Sequence, residues 1–442
     1  MAVTGCIAEC IRAALARNPG ARIIVAYSGG LDSTVLLHAS VHYGDVSPSL
    51  ISAVHIDHGL ADASRHWAAE CRKRAEELGV ACEIRTVTTR PDAGASVEAW
   101  ARHVRYSEIE AFIESGDVVV TAHHRDDLAE TFLLQLMRGA GPDGLAGIPL
   151  SRPLGRGTLV RPMLEIRRSE IVAYGEHYGL TWIDDPGNSD ESFDRNFIRH
   201  RVIPLLRERW PAASDRIAHA ASLQRESATL LNRAADAALA EGMIDEDGNL
   251  DIALLRRHDP AERHRIVRRW LKQRGLPMPD TVHLHEIERM CTARVDANPV
   301  VEFKRTVIRR YRARLYVERA REVATPSEQR DWDLSGSLEL PDGELKACSA
   351  TGVGIARAAL RGAKLSIRFR RGGERCRPVG RGHSCTLKHL YQEWAVPPWR
   401  RNGTPLLYAD EKLVAVADFC VCEPFAAAGD EAGIRLVWTA RK

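Results

Sequence analysis

Over roughly the first 200 residues, short apolar runs rich in β-branched side chains alternate with longer stretches of mixed polarity. Arg22–Tyr27 (RIIVAY), Leu50–Ile56, Val80–Val87 and Asp117–Ala122 (DVVVTA) have the length and composition of strands. Between and after them, Ser33–His42, Ala63–Leu78, Ser96–Glu114 and Asp127–Arg138 read as helices. Strand–helix alternation of this kind predicts an α/β fold, a parallel sheet with helices on both faces. Ligands of such sheets sit beyond the C-terminal strand ends, where loops enter helices.

The pattern then changes. Gly139–Gly157 (GAGPDGLAGIPLSRPLGRG) reads as a mobile active-site loop or a plain surface connection. Thr158–Arg161 and a helix near Arg167–Tyr178 follow. A long Ala/Leu-rich segment, Ser214–Gly242, marks a new helical domain reaching about Leu276. Val300–Val317 is strand-like and basic, and Ala324–Leu340 reads as a linker into a small α+β C-terminal domain. The expected domains are 1–210, 211–323 (mainly helical) and 335–442.

A length of 442 residues fits two or three domains, and 45% hydrophobic with 27% charged residues is ordinary for a globular protein. The sequence has no apolar run near the roughly 18–20 residues of a membrane helix, so no membrane partner is expected. MAVTGCIAECIRAALARNPG lacks the unbroken apolar core of a signal peptide. A cytoplasmic location is the expectation. The 10 cysteines include no CxxC pair, Cys6/Cys10 and Cys420/Cys422 being the closest spacings. Free thiols, mostly buried, are expected, and no zinc or iron–sulfur site. Net charge is only +3, yet Arg361–Arg401 carries eleven Lys/Arg against two Glu. Two further basic stretches are Lys304–Arg314 and Arg263–Arg269. Such stripes point to a local polyanion footprint or, as readily, to solvated faces.

Ser28-Gly29-Gly30-Leu31-Asp32-Ser33 joins the first strand to its helix. Two glycines let backbone N–H groups approach a phosphate, and the helix N-terminus adds unpaired donors. Ser28 and Ser33 offer hydroxyls, and Asp32 can hold a Mg²⁺ that neutralises pyrophosphate. GxxxxGK[ST] is absent, so this is no Walker A loop. The second constellation, His123-His124-Arg125-Asp126-Asp127-Leu128-Ala129-Glu130-Thr131, follows the fourth strand. The i, i+4, i+7 spacing of His123, Asp127 and Glu130 predicts one shared helix face. Phe132, Leu133, Leu136 and Met137 are expected to turn away and bury. Acidic groups at a helix start can simply complement its dipole. On the same sheet edge as the first loop, they are read as a site for Mg²⁺ or a cationic substrate.

These residues resemble the PP-loop ATP pyrophosphatases (the adenine nucleotide α-hydrolase-like fold), and within them the tRNA(Ile)-lysidine synthetases. SGGLDS and HHRDDLAET carry the first likeness. Val54–Leu60 (VHIDHGL), Glu98–Arg102 with Arg105-Tyr106, Arg138–Gly141 with Gly144–Ile148, and Leu159–Pro162 narrow it. So do Asp184-Asp185 through Asn188, Asp190, Arg195-Asn196 and Arg199. Phe369–Arg375, Lys388 and Val396–Arg400 match the end domain of the longer members. Leu128, where the family more often has glutamine, and Ala61, where many have arginine, depart from the pattern.

The resemblance implies a C–N bond-forming ligase acting on the isoleucine tRNA with a CAU anticodon. ATP adenylates the C2 oxygen of the wobble cytidine, at position 34, releasing pyrophosphate. L-lysine then displaces AMP to give lysidine. Cofactors are ATP and Mg²⁺. The implied catalytic residues are Asp32, His123, Asp127, Glu130, Arg105 and Arg199, with Arg195 a further candidate. Ser28–Ser33 holds the nucleotide. Any one arginine could instead be a surface ion pair. Trp399, Trp394 and Tyr391 could stack on bases or form core. A homodimer is left open. The nearest rival, a PP-loop tRNA 2-thiolation enzyme, needs paired cysteines that the sequence lacks. A glutamine-dependent synthetase needs a glutaminase partner, and a tRNA-binding module without catalysis conflicts with the intact loop.

Overall fold

The computed structural model describes residues 2–44, 46–60, 63–92, 94, 96–294, 297–320 and 329–440. Ala61 lies outside the described residues. The chain divides into two compact units, 1–234 and 235–442.

In the first unit, β1 (Ile23–Ala26), β2 (Ile51–Asp57), β3 (Ala81–Thr86), β4 (Val118–Val120), β5 (Ser151–Leu154) and β6 (Gly157–Val160) form one sheet among the described residues. Their order is β3-β2-β1-β4-β6-β5. All pairings are parallel except β5 with β6. The alternation of strand side chains explains why nearly every position is apolar. Ile23, Val25, Val118 and Val120 face one core, while Ile24 and Val119 face another. The first core is covered by α1 (Ala2–Arg17), α2 (Leu31–Tyr43), α3 (Ser64–Glu77) and α7 (Arg168–His177), the second by α4 (Val97–Phe112).

From β1 the chain winds outward to β2 and β3, then returns to place β4 on the other side of β1. A crevice therefore opens beyond the C-terminal ends of β1 and β4. The loop into α2 follows β1, and α5 (Arg125–Met137) follows β4. The sequence thus places both constellations at one switch point.

Several expectations need correction. Gly139–Gly157 is not all loop: it contains α6 (Pro142–Leu145) and the edge strand β5. Leu136 and Met137 do not bury, being 44% and 75% exposed. The N-terminal stretch forms α1, whose Val3, Ile7 and Ile11 enter the core.

The second unit begins within α10 (Ala213–Ala238), which follows α8 (Asp194–Phe197) and α9 (Ile203–Arg209). Its first core gathers α11 (Ile252–Leu255), α12 (Pro260–Gln273) and α13 (Thr281–Thr292) around Trp270. They pack on an antiparallel sheet of Leu250–Asp251, Arg314–Arg319, Thr306–Tyr311 and Val300–Phe303. The two-stranded hairpin of Arg375–Cys376 with Cys385–Thr386 and two larger antiparallel sheets carry the C-terminal part among the described residues. One contains Leu365–Arg368, Leu406–Ala409, Lys412–Val416 and Cys420–Val421, and the other is centred on Gly343–Thr351 against Ala432–Ala440. No described helix is long and apolar enough to cross a membrane.

Candidate active site

The loop after β1 is shaped by its own side chains. Gly29 adopts φ +84, and a Cβ there would lie 2.7 Å from Cys71 Sγ and 2.8 Å from Ile183 Cδ1. Only glycine suits both the conformation and the space. The Ser33 hydroxyl donates to the Gly30 carbonyl at 3.0 Å and accepts from the Ser28 amide at 3.2 Å. Thr34 Oγ1 donates to the same carbonyl at 3.0 Å. Ser28 stays exposed and Leu31 is buried beneath the turn. Asp32, in the first turn of α2, keeps its carboxylate 29% exposed and pairs with Arg168 Nη1 at 3.1 Å.

Across the crevice α5 starts at Arg125, two residues after His123, so His123 does not share its face with Asp127 and Glu130. His124 is the N-cap instead. Its Nδ1 accepts from the Asp126 amide at 3.2 Å, and Asp127 Oδ2 accepts from the His124 amide at 2.8 Å. That cap assigns the ring proton to Nε2, which lies 3.6 Å from Asp32 Oδ2 and 3.5 Å from Asp127 Oδ2. Burial opposes charge on His124, but Asp127, Asp32 and Asp126 outweigh it and raise its pKa. His123 precedes the cap, 3.0 Å from Thr121 Oγ1. Burial, aided by Arg161, Arg195 and Arg102, pushes its pKa down to about 3, so it is neutral at physiological pH.

Asp127 and Glu130 do share a face, and two arginines fill it. Arg195 reaches Asp127 Oδ1 and Glu130 Oε2, both at 2.8 Å. Arg199 meets Glu130 Oε1 at 2.6 Å and Asp127 Oδ1 at 3.2 Å. The i, i+4 spacing of the arginines matches the i, i+3 spacing of the acids. Between α8 and α9 the helix widens into a π turn, Ile198–Val202, that carries Arg199. Burial alone would raise Asp127, yet His124, Arg195 and His123 hold it well below the ordinary carboxylate range. The quartet is compact and nearly charge-balanced. A cationic ligand reaching these carboxylates must compete with both guanidinium groups.

Asp126 is used structurally: it accepts from the Arg168 amide at the start of α7 at 3.0 Å and pairs with Arg207. Arg105, on α4, is exposed, and its charge helps burial push His58 down to about 4. Motif reading had not singled out His124, Arg168 and Arg207 as site residues. Their partners lie far off in sequence: 136 residues separate Arg168 from Asp32. For His124 a signal did exist, a polar residue directly before the first helical turn.

The basic stretches are partly spent on structure. Arg310 is buried and donates to the carbonyls of Met290 and Ala293, while Arg263 and Arg269 pair with Glu288 and Asp236. Tyr391 is core, at 0% exposure, whereas half-buried Trp399 donates to Glu318 and stacks beneath Arg309. Nor are all cysteines free, because Cys376 and Cys422 form a disulfide. The fold brings together sulfurs that the sequence holds 46 residues apart.

A parallel sheet with a glycine turn after its first strand and a capped acidic helix across the switch point defines a PP-loop ATP-binding protein. Residues 6–206 match the PP-loop domain family, residues 250–316 the TilS substrate binding domain and residues 365–438 the TilS substrate C-terminal domain. The tRNA(Ile)-lysidine synthase of Coxiella burnetii is 40% identical over 412 residues, covering 92% of this chain and 91% of that protein. The enzyme of the same name from Methylococcus capsulatus is 38% identical over 432 residues, covering 96% and 97%. The chain belongs to the tRNA(Ile)-lysidine synthase family. A solved U34-tRNA thiolase from Methanococcus maripaludis shares 16% identity over 50% of this chain and 78% of that one. Its TM-score is 0.41.

Proposed function

We propose that this protein ligates L-lysine to C2 of the wobble cytidine in the CAU-anticodon isoleucine tRNA, through an adenylated cytidine. The observation that carries the reading is His124, whose Nε2 sits between Asp32 of the nucleotide loop and Asp127 of the acid–arginine quartet. Nucleotide and acceptor chemistry thereby share one crevice.

The C2 oxygen is a poor leaving group, and AMP transfer makes it a good one. Backbone N–H groups of the Gly29–Ser33 turn would meet the phosphates at the α2 N-terminus, where the helix dipole favours negative charge. Asp32 would hold Mg²⁺ through its partly exposed carboxylate, and the ion would supply positive charge to offset that of the pyrophosphate. Arg199, Arg195 and Arg105 are fork-shaped donors for a phosphate or the lysine carboxylate. Asp127 and Glu130 hold the two partly buried arginines, so a lysine ammonium that reaches these carboxylates displaces a guanidinium group. His123, its pKa pushed down to about 3, stays neutral but is too weak a base to take the proton of the attacking amine.

Residues 1–210 are read as the catalytic domain, 211–323 as the mainly helical substrate domain and 335–442 as the basic tRNA-binding domain. The matches at 6–206, 250–316 and 365–438 support this division. A cytoplasmic location completes the proposal. Asp32→Ala and Asp127→Ala should each abolish tRNA-dependent AMP release while tRNA retention on a filter persists. Full activity in either variant would remove that residue from the mechanism.

A further inference from the structure

Four of the chain's 10 cysteines, Cys376, Cys385, Cys420 and Cys422, pack into one cluster of the second unit with Leu390 and Tyr391. Nothing in lysine transfer uses them. Cys376 opens the short hairpin Arg375–Cys376 with Cys385–Thr386, while Cys420 begins an edge strand at the far side of the neighbouring sheet. Cys420 and Cys422 are two residues apart in extended chain, so their side chains leave on the same face. Cys420 Sγ lies 3.8 Å from Cys376 Sγ. The sulfurs of Cys376, Cys420 and Cys422 all fall within 4.8 Å of one another.

A disulfide needs two sulfurs, and the Cys376–Cys422 bond leaves the third without a part in it. Thiolates around a tetrahedral zinc-like ion at about 2.3 Å are spaced by about 3.8 Å. Cys420 Sγ already stands at that spacing from Cys376 Sγ, so opening the Cys376–Cys422 bond leaves three sulfurs in an apolar surround close enough to share one ion. Cys420 also lines a cavity of about 330 Å³ with Val353, Ala417, Val421 and Leu436.

We propose that Cys376, Cys420 and Cys422, once reduced, bind one thiophilic divalent cation of the zinc class and tie the Arg375–Thr386 hairpin to the Cys420–Val421 strand. Reduction is balanced by a dithiol: it gives two electrons and two protons to the Cys376–Cys422 bond and closes to its own disulfide. The cation then displaces the proton of each sulfur it takes.

The test uses the full chain, reduced with a dithiol, desalted without oxygen and titrated with Co²⁺. The expected result is a sulfur-to-metal charge-transfer band that saturates at one equivalent and is bleached by Zn²⁺. Cys420→Ser should lose the band, and exposed Cys348→Ser should keep it. Binding at His264, His285 and Glu288, a second group with converging donor atoms, would produce no thiolate band. No band in the reduced natural sequence would overturn the proposal without reference to any variant. A full band in Cys420→Ser would overturn it equally.

Discussion

Glu130 and Arg199 meet through two hydrogen bonds, Nε to Oε1 at 2.6 Å and Nη2 to Oε2 at 2.9 Å, with the glutamate side chain only 2% exposed. A carboxylate so buried is tolerable only while its cations remain. Removing one partner of a buried pair costs on the order of 3–5 kcal/mol, because the other charge is left uncompensated. Arg199→Ala should therefore lower unfolding free energy by about 3 kcal/mol in urea titration. Glu130→Gln with Arg199→Met should cost clearly less than the sum of the single changes. Additive losses would mean that the pair is not coupled.

His124 should separate stability from turnover. Asparagine at that position keeps an N-cap acceptor, so His124→Asn should stay within about 1 kcal/mol of the natural protein. It removes the Nε2 proton aimed between Asp32 and Asp127, and AMP release should fall by about 10²-fold, the scale of a small misplacement of reacting groups. Unchanged AMP release would confine His124 to capping.

His123 fixes a pH dependence with a definite sign. Its folded pKa is pushed down to about 3, against roughly 6.5 in an unfolded chain. The unfolded chain then binds the extra proton first, so stability is full above pH ~6.5 and is lost as pH falls toward 3. Asp127, whose pKa is also lowered, adds its own loss only below about pH 4. Between pH 6.5 and 4.5 the stability of His123→Asn should decline less steeply than that of the natural protein. Parallel curves would contradict the assignment.

Gly29→Ala should be severe for its size. The backbone conformation at φ +84 and the contacts with Cys71 and Ile183 both oppose a Cβ. A loss of roughly 1–3 kcal/mol is expected, together with weakened ATP binding measured by calorimetry. The neighbouring Gly30→Ala, whose Cβ would meet nothing closer than 3.7 Å, should be milder. Equal effects would show that the conformation at Gly29 is not what the loop requires.

What could be read from the chain was what is local. Ile23, Ile24 and Val25 lie in a run whose length and branching announce a buried strand, and the SGGxDS turn is marked by its own glycines. His123 was misplaced because three-residue and four-residue spacings were counted from a position that precedes the helix. Which histidine caps α5 depends on one ring nitrogen, and spacing carries no such information. Arg168 and Arg207 find Asp32 and Asp126 across 136 and 81 residues, so only the folded sheet reveals them. The sulfur trio is hidden likewise, because the Cys376 hairpin and the Cys420–Cys422 segment meet only in the fold, without a CxxC motif.

The central claim is lysine transfer to one cytidine. Purified protein, Mg²⁺-ATP and labelled lysine would be incubated with a CAU-anticodon isoleucine tRNA transcript, and label on the tRNA counted after mild base has removed aminoacyl esters. The account predicts base-stable label that disappears when the wobble cytidine is replaced. Retention of the label after that replacement, or no tRNA-dependent label at all, would contradict it.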